Sequence, residues 1–499
     1  MNRGTGRRGV AVLAAATLCA AALAACGSSH ARSAAPAKAT EATGTASTVT
    51  LPPASTATAT GATTTAPSTQ RAPTTAAPAG GASWSAYDRD AARSGVDPTA
   101  PPAGALRQEW TTPALDGDVY AQPLVVGRTV IVATENDTVY AFDDDTGALR
   151  WTRHLGTPVS GGSLPCGDVS PSGITGTPVA DPSTSTVWVL TFSAPAHHTL
   201  WSIDIASGAV TGQRPADPAG ADPRAEQQRA ALALANSRVY VAYGGLFGDC
   251  SDYHGYVAGF PVSATGPVST YETPTEREGG IWAPPGPVVG SDGSVYVATG
   301  NGTPVDAVDD SDSVVRLSPA LAVEGTFTPT DFAALSSTDR DLGSTSPALL
   351  PGGLVFQVGK EGVGYLLSAA HLGGVGGQLA SIPVCGGAFG GDAVDGDLVV
   401  VSCFDGLSAI RISPGRAGVR PGLKVAWRAA GIRPGPPIIA GGRVWAVDRN
   451  GALVGYDETT GAPRERSSIA VVGSFPSLAA ATGRLYVPAG DRLAVFGGA

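Results

Sequence analysis

The sequence predicts an all-β fold, an eight-bladed β-propeller of four-stranded antiparallel blades with its ring closed by an N-terminal strand. Three observations lead there. Gly 67 and Pro 40 among 499 residues come to roughly a fifth of the chain, against a usual background of about 12%, a density of turn formers that helices do not tolerate. A short unit, a Gly-containing or polar turn followed by a β-branched or aromatic strand, recurs along the chain. The last copy of that unit is one strand short, and an unpaired strand near the start can complete it.

The repeated strands are centred on Val130, Val187, Val239, Val295, Val355, Val399, Val444 and Leu485, separated by 57, 52, 56, 60, 44, 45 and 41 residues. These steps bracket the roughly 40–50 residues of a four-stranded blade. A shorter strand precedes each, as at 122–126. Several are followed by a strand that closes on an Asp-x-x-x-Gly turn, clearest at 139–151 and repeated from Asp204 and Asp457. There the Asp can accept backbone N–H bonds while the Gly takes positive φ, so the turn is structural. The final copy stops at Phe496 without a fourth strand, and 105–110 is a strand with no blade before it. Joining them closes the ring.

Lys+Arg 32 against Asp+Glu 42 gives a net charge of -10, which excludes the basic footprint of a nucleic-acid binder. Arg3, Arg7 and Arg8 precede an apolar run over 10–25, the pattern of an export signal and too short for a comfortable membrane span. The run ends in Leu23-Ala24-Ala25-Cys26-Gly27, which resembles the lipobox of bacterial lipoproteins. That resemblance implies a signal peptide over 1–25, lipidation at Cys26 and a place on the extracytoplasmic face of the cell membrane. Residues 26–83 are mostly Ala, Thr, Ser and Pro and read as a disordered tether, leaving 84–499 as the propeller. Outside the signal and anchor stand Cys166, Cys250, Cys385 and Cys403. An even number outside the cytoplasm favours disulfides, with three possible connectivities. Cys385 with Cys403 is preferred because they flank neighbouring strands of one blade, and Cys166 with Cys250 because each lies in a long loop.

The Asp-x-x-Thr-Gly turn with its following Trp, on blades of this length, resembles the quinoprotein family of pyrroloquinoline quinone (PQQ) alcohol dehydrogenases. The same fold without cofactor occurs in the lipoprotein of the outer-membrane barrel-assembly machinery. Such a dehydrogenase needs an aromatic plane, a Ca²⁺ held by oxygens, a carboxylate base and a cation at the quinone. Gly279-Gly280-Ile281-Trp282 resembles the family's stacking segment, placing Trp282 against the cofactor. Thr299-Gly300-Asn301 resembles its metal segment, implying Asn301 as a Ca²⁺ ligand, with Asp249 or Asp252 in place of the family's glutamate. Asp339-Arg340-Asp341 resembles the segment of the base, implying Asp341. Gly359-Lys360-Glu361-Gly362 resembles the turn that directs a cation at the quinone, implying Lys360. The sequence departs from the family in having no adjacent Cys pair, no CxxCH and therefore no haem, and Gly387-Ala388-Phe389-Gly390 where the family carries Asn-Trp.

The leading expectation is a membrane-anchored, extracytoplasmic binding or scaffolding module, monomeric, without cofactor, holding a protein or small molecule on one propeller face. The alternative is a Ca²⁺/PQQ-dependent dehydrogenase of an alcohol or sugar. In either case 244–255, 282–287 and 301–312 are expected to line the functional face.

Overall fold

A computed structural model describes residues 83–263, 265–415, 418–471 and 473–499. The signal segment, Cys26 and nearly all of the tether lie outside the described residues. Eight antiparallel sheets of four strands follow one another around a ring. In blade one the strands are Leu124–Val126, Thr129–Thr134, Thr138–Asp143 and Leu149–His154. The first three are largely buried, whereas exposure alternates along the fourth, as for an outer strand with one face in water. All eight positions that set the sequence period fall on second strands and are no more than 1% exposed. Their branched side chains fill the spaces between adjacent sheets, as where Ile131 and Ala133 of blade one meet Val187 and Val189 of blade two.

Blade eight is built from both ends of the propeller. Ala479–Ala481, Arg484–Pro488 and Leu493–Gly497 are joined by Arg107–Thr111, which pairs antiparallel with Leu493–Gly497. The closure expected for the strand at 105–110 is therefore present.

The Asp-x-x-x-Gly turns act between blades. In the turn at Asp143 the carboxylate accepts the Thr146 N–H at 3.1 Å, and equivalent bonds form at Asp204 and Asp457. Gly147, Gly208 and Gly461 all have φ near +67°, open to glycine at little cost. Each turn receives a tryptophan from the outer strand of the preceding blade: the indoles of Trp110, Trp151 and Trp427 donate to the carbonyls of Asp144, Ile205 and Glu458 at 3.0, 2.9 and 2.8 Å. A Cβ on Gly208 would stand 2.5 Å from the Trp151 ring.

Ser83–Asp97 forms no blade and lies against the innermost strands. Trp84 exchanges both backbone bonds with Val125 of blade one, and Ser85 accepts from Ala180 of blade two. Arg93 donates to Leu232 at the entry to blade three. Ala91, Ser94 and Gly95 accept from Val289, Val394 and Ile439 of blades four, six and seven, and Tyr87 bonds Ser477 before blade eight. Trp84 is fully buried, with its indole on Gln122 at 2.7 Å. One segment thus ties together all blades but the fifth, a role that the repeat pattern does not reveal. The cysteines form the two expected disulfides, Cys166–Cys250 and Cys385–Cys403. Among the described residues no helix is long and apolar enough to cross a membrane.

Candidate functional site

In a propeller the connections entering first strands and those leaving second strands emerge on the same face. Trp282 and Asp341 lie in connections that enter blades four and five, and Asn301 and Lys360 follow their second strands. Residues more than seventy apart in sequence are thereby brought to one mouth. A cavity of about 410 Å³ opens there, lined by Trp282, Asp341, Lys360 and Asp249 together with Phe389, Phe404, Arg433, Arg449 and Phe475, and with Arg229 also on its wall.

Asp341 is the hub of the polar groups around Trp282. It is 3% exposed. Its Oδ2 accepts the Trp282 indole N–H at 3.1 Å and lies 2.9 Å from Lys360 Nζ, and its Oδ1 accepts the Asn301 backbone N–H at 3.1 Å. Lys360 also reaches Asp339 at 2.5 Å and stands 5.4 Å from the Trp282 ring centre, within cation–π range. Burial raises the Asp341 pKa, and the Lys360 ammonium opposes that rise. Burial pulls the Lys360 pKa down, but Asp341 and Asp339 outweigh it and hold the ammonium above its usual value. Asp312 sits behind the pair, bonded to Ser336 Oγ and the Leu342 N–H, and burial with the Asp341 charge pushes it up to about 7.

Trp282, Asn301, Asp341 and Lys360 therefore form one connected network. Asp249 lines the cavity but stands apart from that network, its carboxylate accepting the Tyr253 hydroxyl at 2.7 Å. Asp252 is exposed. The expectation for 301–312 is corrected: none of these residues lines the cavity. That loop folds back, with Gly302–Thr303 paired to Arg277–Glu278, and Asp312 is buried. Glu278 is a group that the motifs passed over. Its Oε2 accepts from Asn301 Nδ2 and Thr303 Oγ1, both at 3.3 Å, and its place four residues before Trp282 was the available signal. Cys403 lines the cavity beside Phe404, so the Cys385–Cys403 disulfide braces the wall there.

Residues 105–313 match the family described as outer membrane protein assembly factor BamB. No curated protein matches the chain. Among solved structures, a quinohemoprotein alcohol dehydrogenase from Comamonas testosteroni is similar over 83% of this chain and 80% of its own, at 17% identity and a TM-score of 0.60. A europium-containing methanol dehydrogenase is similar over 81% and 89%, at 14% identity and a TM-score of 0.60. BamB from Moraxella catarrhalis is similar over 79% and 100%, at 14% identity and a TM-score of 0.53. At these identities the likeness is one of fold, and that fold is the PQQ-like β-propeller.

Proposed function

We propose that the protein is a lipid-anchored, extracytoplasmic binding module and that the cavity at the propeller mouth holds a small molecule. The observation that carries this reading is the cavity itself. At about 410 Å³ it falls within the range of small-molecule sites, and it joins aromatic walls to a few converging polar groups. The anchor rests on the lipobox-like segment ending at Cys26.

A second reading, a Ca²⁺/PQQ-dependent dehydrogenase, is favoured by the convergence of Trp282, Asn301, Asp341 and Lys360. Trp282 and Lys360 fit a planar quinone with an anionic edge. The donor set fits Ca²⁺ poorly. Calcium takes six to eight oxygens, whereas both Asp341 oxygens already accept N–H donors, one of them from the Lys360 ammonium. Asp249 lies outside the network, and among the described residues no group of three His, Cys, Asp or Glu side chains is placed to hold a metal.

Calorimetric titration of the full chain with PQQ, with and without Ca²⁺, separates the two readings when paired with dye-linked oxidation of ethanol and glucose. For the binding module, Ca²⁺ leaves the titration unchanged and no dye is reduced. A tenfold or larger gain in PQQ affinity with Ca²⁺, lost in Asn301→Ala and accompanied by dye reduction, would establish the dehydrogenase instead.

A further inference from the structure

A second group of residues at the mouth, outside the Asp341 network, has a chemistry of its own. Arg229, in the connection that enters blade three, has a side chain only 14% exposed. A guanidinium carries five N–H donors, and pairing them with a charged acceptor is favourable. Yet among the described residues Arg229 has no hydrogen-bonded partner, and its nearest carboxylate is Asp168 at a loose 3.9 Å. The group faces the cavity, and it also lines an adjoining pocket of about 20 Å³.

Around it lies an aromatic wall. The guanidinium is 5.1 Å from the Phe475 ring centre. Phe475 stacks on Phe389 at 6.3 Å, and Phe404 meets Phe389 edge-on at 5.4 Å. Phe475 has φ +54°, a left-handed backbone that a bulky residue adopts only where its surroundings enforce it. Phe404 is 60% exposed although it borders a cavity. At the rim, Arg433 and Arg449 are exposed, and among the described residues neither forms an ion pair; Arg449 reaches only Ser474 Oγ, at 3.3 Å. Lys360, by contrast, is already engaged by two carboxylates. The positive charge of the mouth that no close carboxylate engages is thus found near the phenylalanines, with Arg229 over Phe475 and Arg449 beside Ser474.

We propose that this part of the mouth recognises an aromatic monocarboxylate, with Arg229 taking the carboxylate as a planar fork, Phe389, Phe404 and Phe475 enclosing the ring, and Arg433 and Arg449 drawing the anion in. The proposal rests on the binding-module reading and names its ligand class. It does not involve Trp282 or Asn301.

The test is calorimetric titration of the full chain with 2-naphthoate and with its neutral analogue 2-naphthamide. The expected result is that the acid binds at least tenfold more tightly than the amide. Arg229→Gln should erase that preference by weakening the acid alone, and Arg433→Gln with Arg449→Gln should flatten the salt dependence of acid binding. Because Arg229 has no hydrogen-bonded partner among the described residues, the variant should melt near the parent. The comparison of acid with amide on the unaltered chain stands even if it does not. Equal binding of acid and amide, or acid binding that Arg229→Gln leaves unchanged, would overturn the carboxylate assignment while leaving the binding module in place. No binding of either compound up to about millimolar, a regime worth only about 4 kcal/mol, would overturn both.

Discussion

Asp341 shows how much of the site turns on one side chain. Its carboxylate is buried, accepts two N–H donors and, among the described residues, has a single close ammonium, Lys360. Replacing Lys360 by Met leaves the charge without its counter-ion, and breaking a buried pair in this way costs about 3–5 kcal/mol. Urea unfolding at pH 7 should show that loss, and adding Asp341→Asn should recover most of it by making the site neutral. The sign with pH follows. Burial raises Asp341 in the folded state, and removing Lys360 raises it further. The folded Lys360→Met variant then favours the protonated acid, so its deficit should shrink as pH falls toward 4 and grow as pH rises. Asp341 and Lys360 were legible in the sequence because each sits in a short motif. Arg229 was not, because an unmatched guanidinium is a fact about its surroundings and leaves no local pattern.

At the scale of the element, the tryptophan-on-turn contact is the device that sets one blade against the next. It was legible because Asp, Gly and Trp recur at fixed spacing, but the sequence shows Trp151 following the turn of its own blade. Only the fold reveals that its indole serves the next blade, at Ile205 and Gly208. Gly208→Ala imposes two penalties, an unfavourable φ and a Cβ driven into the indole. Gly220→Ala, with φ +89° and nothing within 4 Å of the added Cβ, imposes the first alone. The Gly208 variant should therefore unfold at lower urea, by about 1–3 kcal/mol more than the Gly220 variant, the usual cost of overpacking. The Cys385–Cys403 bridge, 18 residues apart, should contribute about 3 kcal/mol by the loop-entropy argument. Denaturant unfolding of a Cys385→Ser, Cys403→Ser chain against the parent measures it.

For the whole molecule, the period of the second strands made the eight blades countable, because every blade must bury the same branched core. Ser83–Asp97 escaped that logic: its contacts are to different blades, one or two at a time, so no period marks it. It also contributes to a set of buried acids. Burial pushes Asp88, Glu135 and Glu226 up to about 8 and Asp137 and Asp312 up to about 7. For an acid whose folded pKa lies above its unfolded value, the stabilising protonation is complete near pH 4 and is lost as pH climbs to the folded pKa. The propeller should therefore melt at progressively lower temperature between pH 5 and pH 8. Asp88→Asn should flatten part of that slope, as scanning calorimetry across the range would show.

The contact between Tyr87 and Ser477 joins positions 390 residues apart, and the strand Arg107–Thr111 likewise finds its partner only in Leu493–Gly497. A ribosome delivers the first of each pair nearly four hundred residues before the second. The strand Arg107–Thr111 must then wait without its sheet partner while the intervening blades are synthesised, so the ring closes only after the blades between have been made.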